Sequence, residues 1–428
     1  MVVRNSTLRL LLSTPRQNLF SCQAFATTFQ STPPRSKEAL RKDSTLSDDS
    51  LQQTVRHFVH EEIIPKAAHH DETGEFPWEI LKKAHAIGLM NTGLPTEMGG
   101  LNLSLQTKQK IYEEIAYGDT AIGTSMMVNE AAQTPLIQAG SSLLKDKYLK
   151  KMLKEPILAS LAITEPEAGS DATNIKTKAE LKGDHYVLNG SKNWITNGAI
   201  AEWYFVLART NFDSNVSAGR ALTGFVVDRN SPGIIIGKKE KNMGQRCADT
   251  RAISFEHVTV PVENVVGNVN EGFRLAMRAL DRTRPIIAIM ACGLMQRALD
   301  EAGKYAVERK TFGKIIAEHE GIGFKLADMA MNLEAARELA YKSARMIDAN
   351  AEDATYYSSC AKAFAADAAF QAAANAVQIF GANGYNMEYP VEKLLRDSKV
   401  LQLLGGTSEI QRKTARRLFT IVMEPYFE

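Results

Sequence analysis

Tyr186-Val187-Leu188-Asn189-Gly190-Ser191-Lys192-Asn193-Trp194-Ile195-Thr196-Asn197-Gly198 is the stretch on which the fold class turns. Apolar and β-branched residues alternate with polar ones, and Asn-Gly occurs twice. Between apolar runs that dipeptide is a strong hairpin signal. The same texture spreads outward on both sides, with short runs at 175–181, 186–188, 203–208, 222–227, 234–236 and 252–255, punctuated by Gly183-Asp184 and Ser231-Pro232-Gly233. No segment of crossover-helix length separates these runs, which argues against a parallel doubly wound sheet and for a small antiparallel β domain.

Beyond that block the period changes. Leu51, Val55, Phe58, Val59 and Ile63 recur at helical spacing, and further helical patterns cover 78–87 (closed by Gly88), 105–117 and 142–153, with a loop at 95–100. After Glu271 helices are expected at 272–305, 323–348, 353–380, 391–397 and 409–421, the alanine-rich run 361–376 allowing close helix packing. Pro285, inside Asp281-Arg282-Thr283-Arg284-Pro285, should kink the first of these or shift a turn. The expected class is α+β: an N-terminal α-helical domain (38–156), a middle antiparallel β domain (157–268) and a C-terminal α-helical bundle (269–428).

A chain of 428 residues is long for one core, which fits this division. A net charge of +2 gives no reason to expect nucleic acid or an acidic membrane as partner, and the apolar run 285–295 is too short to span a bilayer. The four cysteines lack metal-ligand spacing, so no metal is expected and a reducing compartment is implied. Residues 1–37 differ from the rest. They hold Arg4, Arg9, Arg16, Arg35 and Lys37, many hydroxyl side chains and no acidic residue, the composition of a mitochondrial presequence. A soluble protein of the mitochondrial matrix is expected.

Five segments carry candidate chemistry. Ile163-Thr164-Glu165-Pro166-Glu167-Ala168-Gly169-Ser170-Asp171 ends the first strand, with hydroxyls and backbone donors able to meet a polar ring edge or an anion; an ordinary turn is the alternative. Trp194 and Thr196 share a short strand where a ring could stack, or where the indole is simply core. Asn242 to Thr250 reads as a polar loop. Glu308-Arg309-Lys310-Thr311-Phe312-Gly313 breaks the helical region with a basic cluster suited to a diphosphate or to solvent. Leu404-Gly405-Gly406-Thr407-Ser408-Glu409 is a turn ahead of a helix, able to bring backbone amides close to a ligand or merely to cap that helix.

In order and spacing these segments, with 378–389 and 390–394, resemble the acyl-CoA dehydrogenases, and the medium-chain mitochondrial type most. The resemblance covers about residues 40–425. It implies a homotetramer, FAD between the β domain and the C-terminal bundle, a fatty acyl-CoA substrate desaturated to the trans-2-enoyl-CoA in β-oxidation, and an electron-transfer flavoprotein as acceptor. Carried over by residue, it implies that Ile163, Thr164, Gly169 and Ser170 line the flavin, Ser170 also touching the CoA. Trp194 and Thr196 flank the ring. Arg309, Thr311 and Phe312 meet the diphosphate end of a neighbouring subunit's FAD, with Gln378 and Gly381 near it. Thr407 and Glu409 approach the adenine side, and Asp281 and Arg284 hold the CoA moiety.

One element of the family pattern is missing. The reaction removes an α-proton, which calls for a carboxylate base, and hydrogen bonds must hold the charge developing on the thioester oxygen. The family places its glutamate base either just ahead of the Gly-Thr-Ser turn or on the long helix. Here Gly405 and Thr283 stand in those places. Glu320 and Glu409 also stand where the medium-chain type has glutamine near FAD. A non-catalytic paralogue that binds FAD and acyl-CoA is the alternative reading.

Overall fold

Side-chain caps start the two central helices of the N-terminal part. In a computed structural model that describes residues 48–423, α1 (Asp48–Phe58) passes through a π turn (Val59–Ile63) into α2 (Ile64–Thr73), and α3 is Trp78–Ala86. The Ser104 hydroxyl accepts from the Thr107 amide at 3.1 Å and opens α4 (Leu105–Gly118). The Asp119 carboxylate accepts from Ala121 and Ile122 at 2.7 and 3.1 Å and opens α5 (Thr120–Ala139). The expected helix at 142–153 is split into α6 (Ser142–Leu144), a π segment (Lys145–Leu149) and α7 (Lys150–Lys154). The presequence expected at residues 1–37 lies outside the described residues.

The middle sheet has eight strands: β1 (Leu158–Ala162), β2 (Lys178–Lys182), β3 (His185–Thr196), β4 (Ala201–Arg209), β5 (Leu222–Asp228), β6 (Ile234–Lys239), β7 (Thr250–Pro261) and β8 (Val265–Val266). Its path is β6-β7-β3-β2-β4-β5-β8, with β1 added beside β4. The pairing is antiparallel apart from β1 with β4 and a single β2–β4 pair, which are parallel.

The expectation of a hairpin at Asn189-Gly190 is corrected. β3 runs straight through it, and the turn into β3 is Gly183-Asp184. Gly190 (φ 153°) sits at a register shift against β7, where a Cβ would come within 2.6 Å of Thr177, and the Asn189 side chain accepts from the His257 amide at 2.9 Å. Asn-Gly here makes a bulge within one long strand. A second shift between Lys192 and Ile195 puts Trp194 at the end of that strand rather than on a short strand of its own.

The C-terminal bundle begins with α8 (Gly272–Glu308), followed by a two-stranded hairpin of β9 (Lys310–Thr311) and β10 (Lys314–Ile315). Then come α9 (Glu320–Asp348), α10 (Ala354–Phe380), α11 (Val391–Leu401) and α12 (Ser408–Met423). Pro285 does not break α8. The Gln109 side-chain amide donates to the Pro285 and Ala340 carbonyls at 3.1 and 2.8 Å, binding α4 to α8 and α9. At Gly293 a Cβ would lie 2.2 Å from the Glu113 carbonyl, so glycine is what lets α4 and α8 approach this closely.

A buried node joins all three parts. Lys393 on α11 reaches Asp119 at 2.9 Å and Asp397 at 2.5 Å, and the other Asp397 oxygen accepts from the Gln245 amide at 2.5 Å. The polar loop 242–250 is therefore a tie between the sheet and α11. Among the described residues no helix is long and apolar enough to cross a membrane, and no cluster of side chains could hold a metal ion.

Candidate functional site

The loop leaving β1 and the end of β3 form one wall. The Asn193 amide donates to the Thr164 carbonyl at 2.8 Å, and the Ser160 hydroxyl donates to the Thr196 carbonyl. Beneath them lies an ion pair missed in the sequence. Lys192 reaches Glu165 at 2.8 Å and the Ile163 carbonyl at 3.0 Å, and the Glu165 carboxylate also accepts from the Lys176 and Thr177 amides. Burial pulls the Lys192 amine down to about 8, although Glu165 pulls it the other way. The residues flanking Lys192, Ser191 and Asn193, are polar and half-buried, so no local pattern signals it. The ion pair fixes the backbone of Ile163 to Glu165 from behind, while Gly169, Ser170 and Trp194 face solvent. Trp194 has φ 59° and is 58% exposed, so a strained backbone holds a large indole off the core.

A second candidate wall, by its own geometry, is the turn 402–407. Gly405 and Gly406 have φ of 66° and 94°, which glycine adopts without penalty. Both of their carbonyls are held from inside the bundle. Gly405 O accepts from Arg284 Nε at 3.3 Å and Gln411 Nε2 at 3.0 Å, and Gly406 O accepts from Gln411 at 3.1 Å and Lys362 Nζ at 2.7 Å. Arg284 is bound to Asp281 at 2.6 Å, and Asp281 also accepts from the Thr355 hydroxyl at 3.2 Å. Burial raises the Asp281 carboxyl above its usual range, against the pull of Arg284. Thr407 caps α12 through a 3.3 Å bond from the Ile410 amide, and Glu409 is exposed at the start of that helix.

Neither residue at the two glutamate positions can take a proton from carbon. The Thr283 hydroxyl donates to the Leu280 carbonyl of its own helix at 2.9 Å. A Cβ on Gly405 would come within 2.4 Å of Ile287 Cδ1, in a fully buried part of the core. Around the turn, Asp367 accepts from Gln402, Ser408 and Arg412 at 2.7, 3.0 and 2.5 Å, and so is fully engaged.

The remaining sequence-derived residues make no bond to these segments. Arg309, Phe312, Gln378 and Gly381 are exposed, Phe312 at 97% with φ 49°. Thr311 is half-buried, its hydroxyl 3.3 Å from His319. Among the described residues no hydrogen bond or ring contact joins this group to either wall. Lys362 and Gln411 were overlooked as functional. Lys362 is the lone cation in the alanine-rich face of α10, a signal the composition of that run did contain.

The segment with the exposed indole and the turn with its Asp–Arg pair belong to a fold of two helical parts around a sheet. The chain belongs to the acyl-CoA dehydrogenase family: its N-terminal, middle and C-terminal domain models match residues 45–156, 160–258 and 270–419. The chain is 46% identical over 376 residues to a protein of Caenorhabditis briggsae described as a probable medium-chain specific acyl-CoA dehydrogenase 2, mitochondrial, covering 88% of this chain and 91% of that one. Among solved structures, it is similar to butyryl-CoA dehydrogenase from Megasphaera elsdenii (TM-score 0.83, 32% identity, 87% of this chain and 97% of that one). A glutaryl-coenzyme A dehydrogenase with glutaryl-CoA also superimposes at a TM-score of 0.83, with 34% identity, 87% of this chain and 95% of that one.

Proposed function

We propose that this chain binds FAD and a fatty acyl-CoA of medium length in the mitochondrial matrix and carries out α,β-dehydrogenation to the trans-2-enoyl-CoA within β-oxidation. Electrons pass on to an electron-transfer flavoprotein. The observation that carries this reading is the Gly405–Thr407 turn. The peptides are planar and trans, so with both glycine carbonyls drawn inward the N–H groups of Gly406 and Thr407 point the opposite way. They form a preset pair of donors for a carbonyl oxygen on which charge develops, beside the Asp281–Arg284 pair that would hold the CoA moiety.

FAD, when bound, supplies the acceptor for the hydride that leaves the β-carbon. The residues that fit it are Ile163, Thr164, Gly169, Ser170, Trp194 and Thr196 on the first wall, with Thr407 and Glu409 on the second. The exposed Trp194 offers an aromatic face and the Ile163–Glu165 backbone is rigidly held, both favouring a flat polar ring. Among the described residues no hydrogen bond or ring contact joins Arg309, Thr311, Phe312, Gln378 or Gly381 to either wall, and all but the half-buried Thr311 are exposed. This supports a homotetramer in which they complete a neighbouring copy's FAD site.

A second reading rests on the filled space at Gly405. Ile287 occupies the direction a side chain there would take, and the described carboxylates near the turn are either engaged, as Asp367 and Asp281, or exposed, as Glu409. On this reading the chain binds FAD and acyl-CoA without turning over. Anaerobic mixing with acyl-CoAs from butyryl to palmitoyl separates the two. Dehydrogenation bleaches the visible flavin absorbance, and its absence at every chain length, with the absorbance still perturbed by binding, leaves the non-catalytic reading.

A further inference from the structure

Lys362 is fully buried, and among the described residues no carboxylate lies within ion-pair distance of it. Its Nζ instead donates to the Gly406 carbonyl, across the turn from the outward amides. A lysine carried into a helix interface, with its side-chain entropy lost and its charge desolvated, is costly unless the one bond it makes matters. That bond, the shorter of the two the carbonyl accepts (Gln411 Nε2 lies at 3.1 Å) and the charged one, holds the orientation of the Gly406–Thr407 peptide. Flipping the peptide would leave a buried ammonium without an acceptor and turn the Thr407 N–H inward.

We propose that Lys362 is a positioning residue: its ammonium keeps the Gly405–Gly406 turn with both carbonyls inward, so that the Gly406 and Thr407 amides grip a thioester oxygen, and the strength of that grip follows the charge of the lysine. Lys362 lies on the inner side of the turn and does not touch the ligand, which separates it from a proton acceptor. The inference rests on the acyl-CoA-binding reading above.

The charge of this group is open to change near neutrality. Burial holds the amine down to about 7, with Asp367 of its own helix and Glu409 of α12 raising it, and Arg284 of α8 and Arg412 of α12 lowering it. Other cations meeting α10 sit elsewhere. Lys342 lies over Tyr357, Lys325 bonds Asn375 and Lys399 lies over Phe370, none bonded to the turn. A charged donor bonds a carbonyl roughly twice as strongly as a neutral amine, and it also polarises the peptide so that the opposite N–H is a better donor.

The test is calorimetric titration of the FAD-loaded protein with trans-2-octenoyl-CoA, a thioester whose α,β bond is already unsaturated and so cannot be dehydrogenated again. In the wild type the affinity should fall about fivefold between about pH 6 and about pH 8.5, with its midpoint close to 7. Lys362→Arg should bind tightly and Lys362→Met weakly across the whole range, both without that midpoint. The wild type alone gives an independent reading. Above the midpoint, binding should take up protons and so show a heat that scales with the ionisation enthalpy of the buffer. Binding with a flat pH profile, or a Lys362→Met protein that keeps the wild-type midpoint, overturns the role of Lys362 alone. No binding at any pH overturns the acyl-CoA reading and this role together.

Discussion

Placing glutamate at position 405 should cost stability before it confers anything, and the cost should depend on one methyl group. Gly405 has φ 66°, a left-handed conformation that costs an L-residue roughly 1–2 kcal/mol. Its new Cβ would lie 2.4 Å from Ile287 Cδ1, far inside the roughly 3.5–4.0 Å of a relaxed carbon contact. Overpacking of this kind costs about 1–3 kcal/mol. Gly405→Glu is therefore expected to lose about 2–5 kcal/mol. Ile287→Val removes the methyl that is struck, at about 0.5–1.5 kcal/mol by itself. In the double variant the overpacking term disappears and the stem of the glutamate fills the vacated space, so the pair should be less destabilised than the sum by about 1–3 kcal/mol. Denaturant unfolding of the four proteins, followed by circular dichroism, measures this. Anaerobic bleaching by octanoyl-CoA should be fastest in the double variant, by about 10²–10⁴ over wild type if the chain lacks a base of its own. Additive losses, or a Gly405→Glu protein as stable as wild type, would refute the argument that Ile287 has taken the place of a side chain.

Three further outcomes are expected. Lys192→Met strands the buried Glu165 carboxylate and should lower stability by about 3–5 kcal/mol in thermal unfolding, with much of the loss recovered when Glu165→Gln is added. Trp194→Gly should leave the unfolding midpoint close to wild type, because relief of the positive φ offsets the loss of partly exposed contacts, while FAD is released more readily on gel filtration. The pH dependence follows from two depressed lysines. Lys192 and Lys362 titrate at about 8 and about 7 in the folded chain, against about 10.4 when unfolded. Between those values the unfolded chain binds more protons, so their contribution to stability grows as pH rises through that window and is flat below it. The urea midpoint followed from neutral to alkaline pH should rise less steeply in Lys362→Met than in wild type.

The helix–sheet–helix order was legible because periods of two and of 3.6 residues alternate cleanly along the chain. α5 was not foreseen. Nearly every residue from Thr120 to Leu136 is buried, so no polar face gives it a helical stripe, and Gly123 and Pro135 read as breakers. Asn189-Gly190 misled because its turn chemistry serves a bulge instead, a choice made by the register of β7 and not by local sequence. The turn at Gly405 was readable as a turn, but the cage behind it was not. Arg284, Lys362 and Gln411 come from three helices far apart in sequence. Lys362 looks like any surface lysine until α10 is seen packed on both sides.

The node of Lys393, Asp119, Asp397 and the Gln245 amide bears on how the molecule moves. It sits where the N-terminal helices, the sheet and the bundle meet, and burial raises Asp397 while the two carboxylates raise Lys393. Parting any two of the three bodies would strand a charge in the core, which costs far more than a surface pair. The N-terminal helices, the sheet and the bundle are thus held together where these groups meet. Hinging of whole domains is therefore disfavoured, and movements confined to exposed segments away from the node are the cheaper way for the molecule to yield.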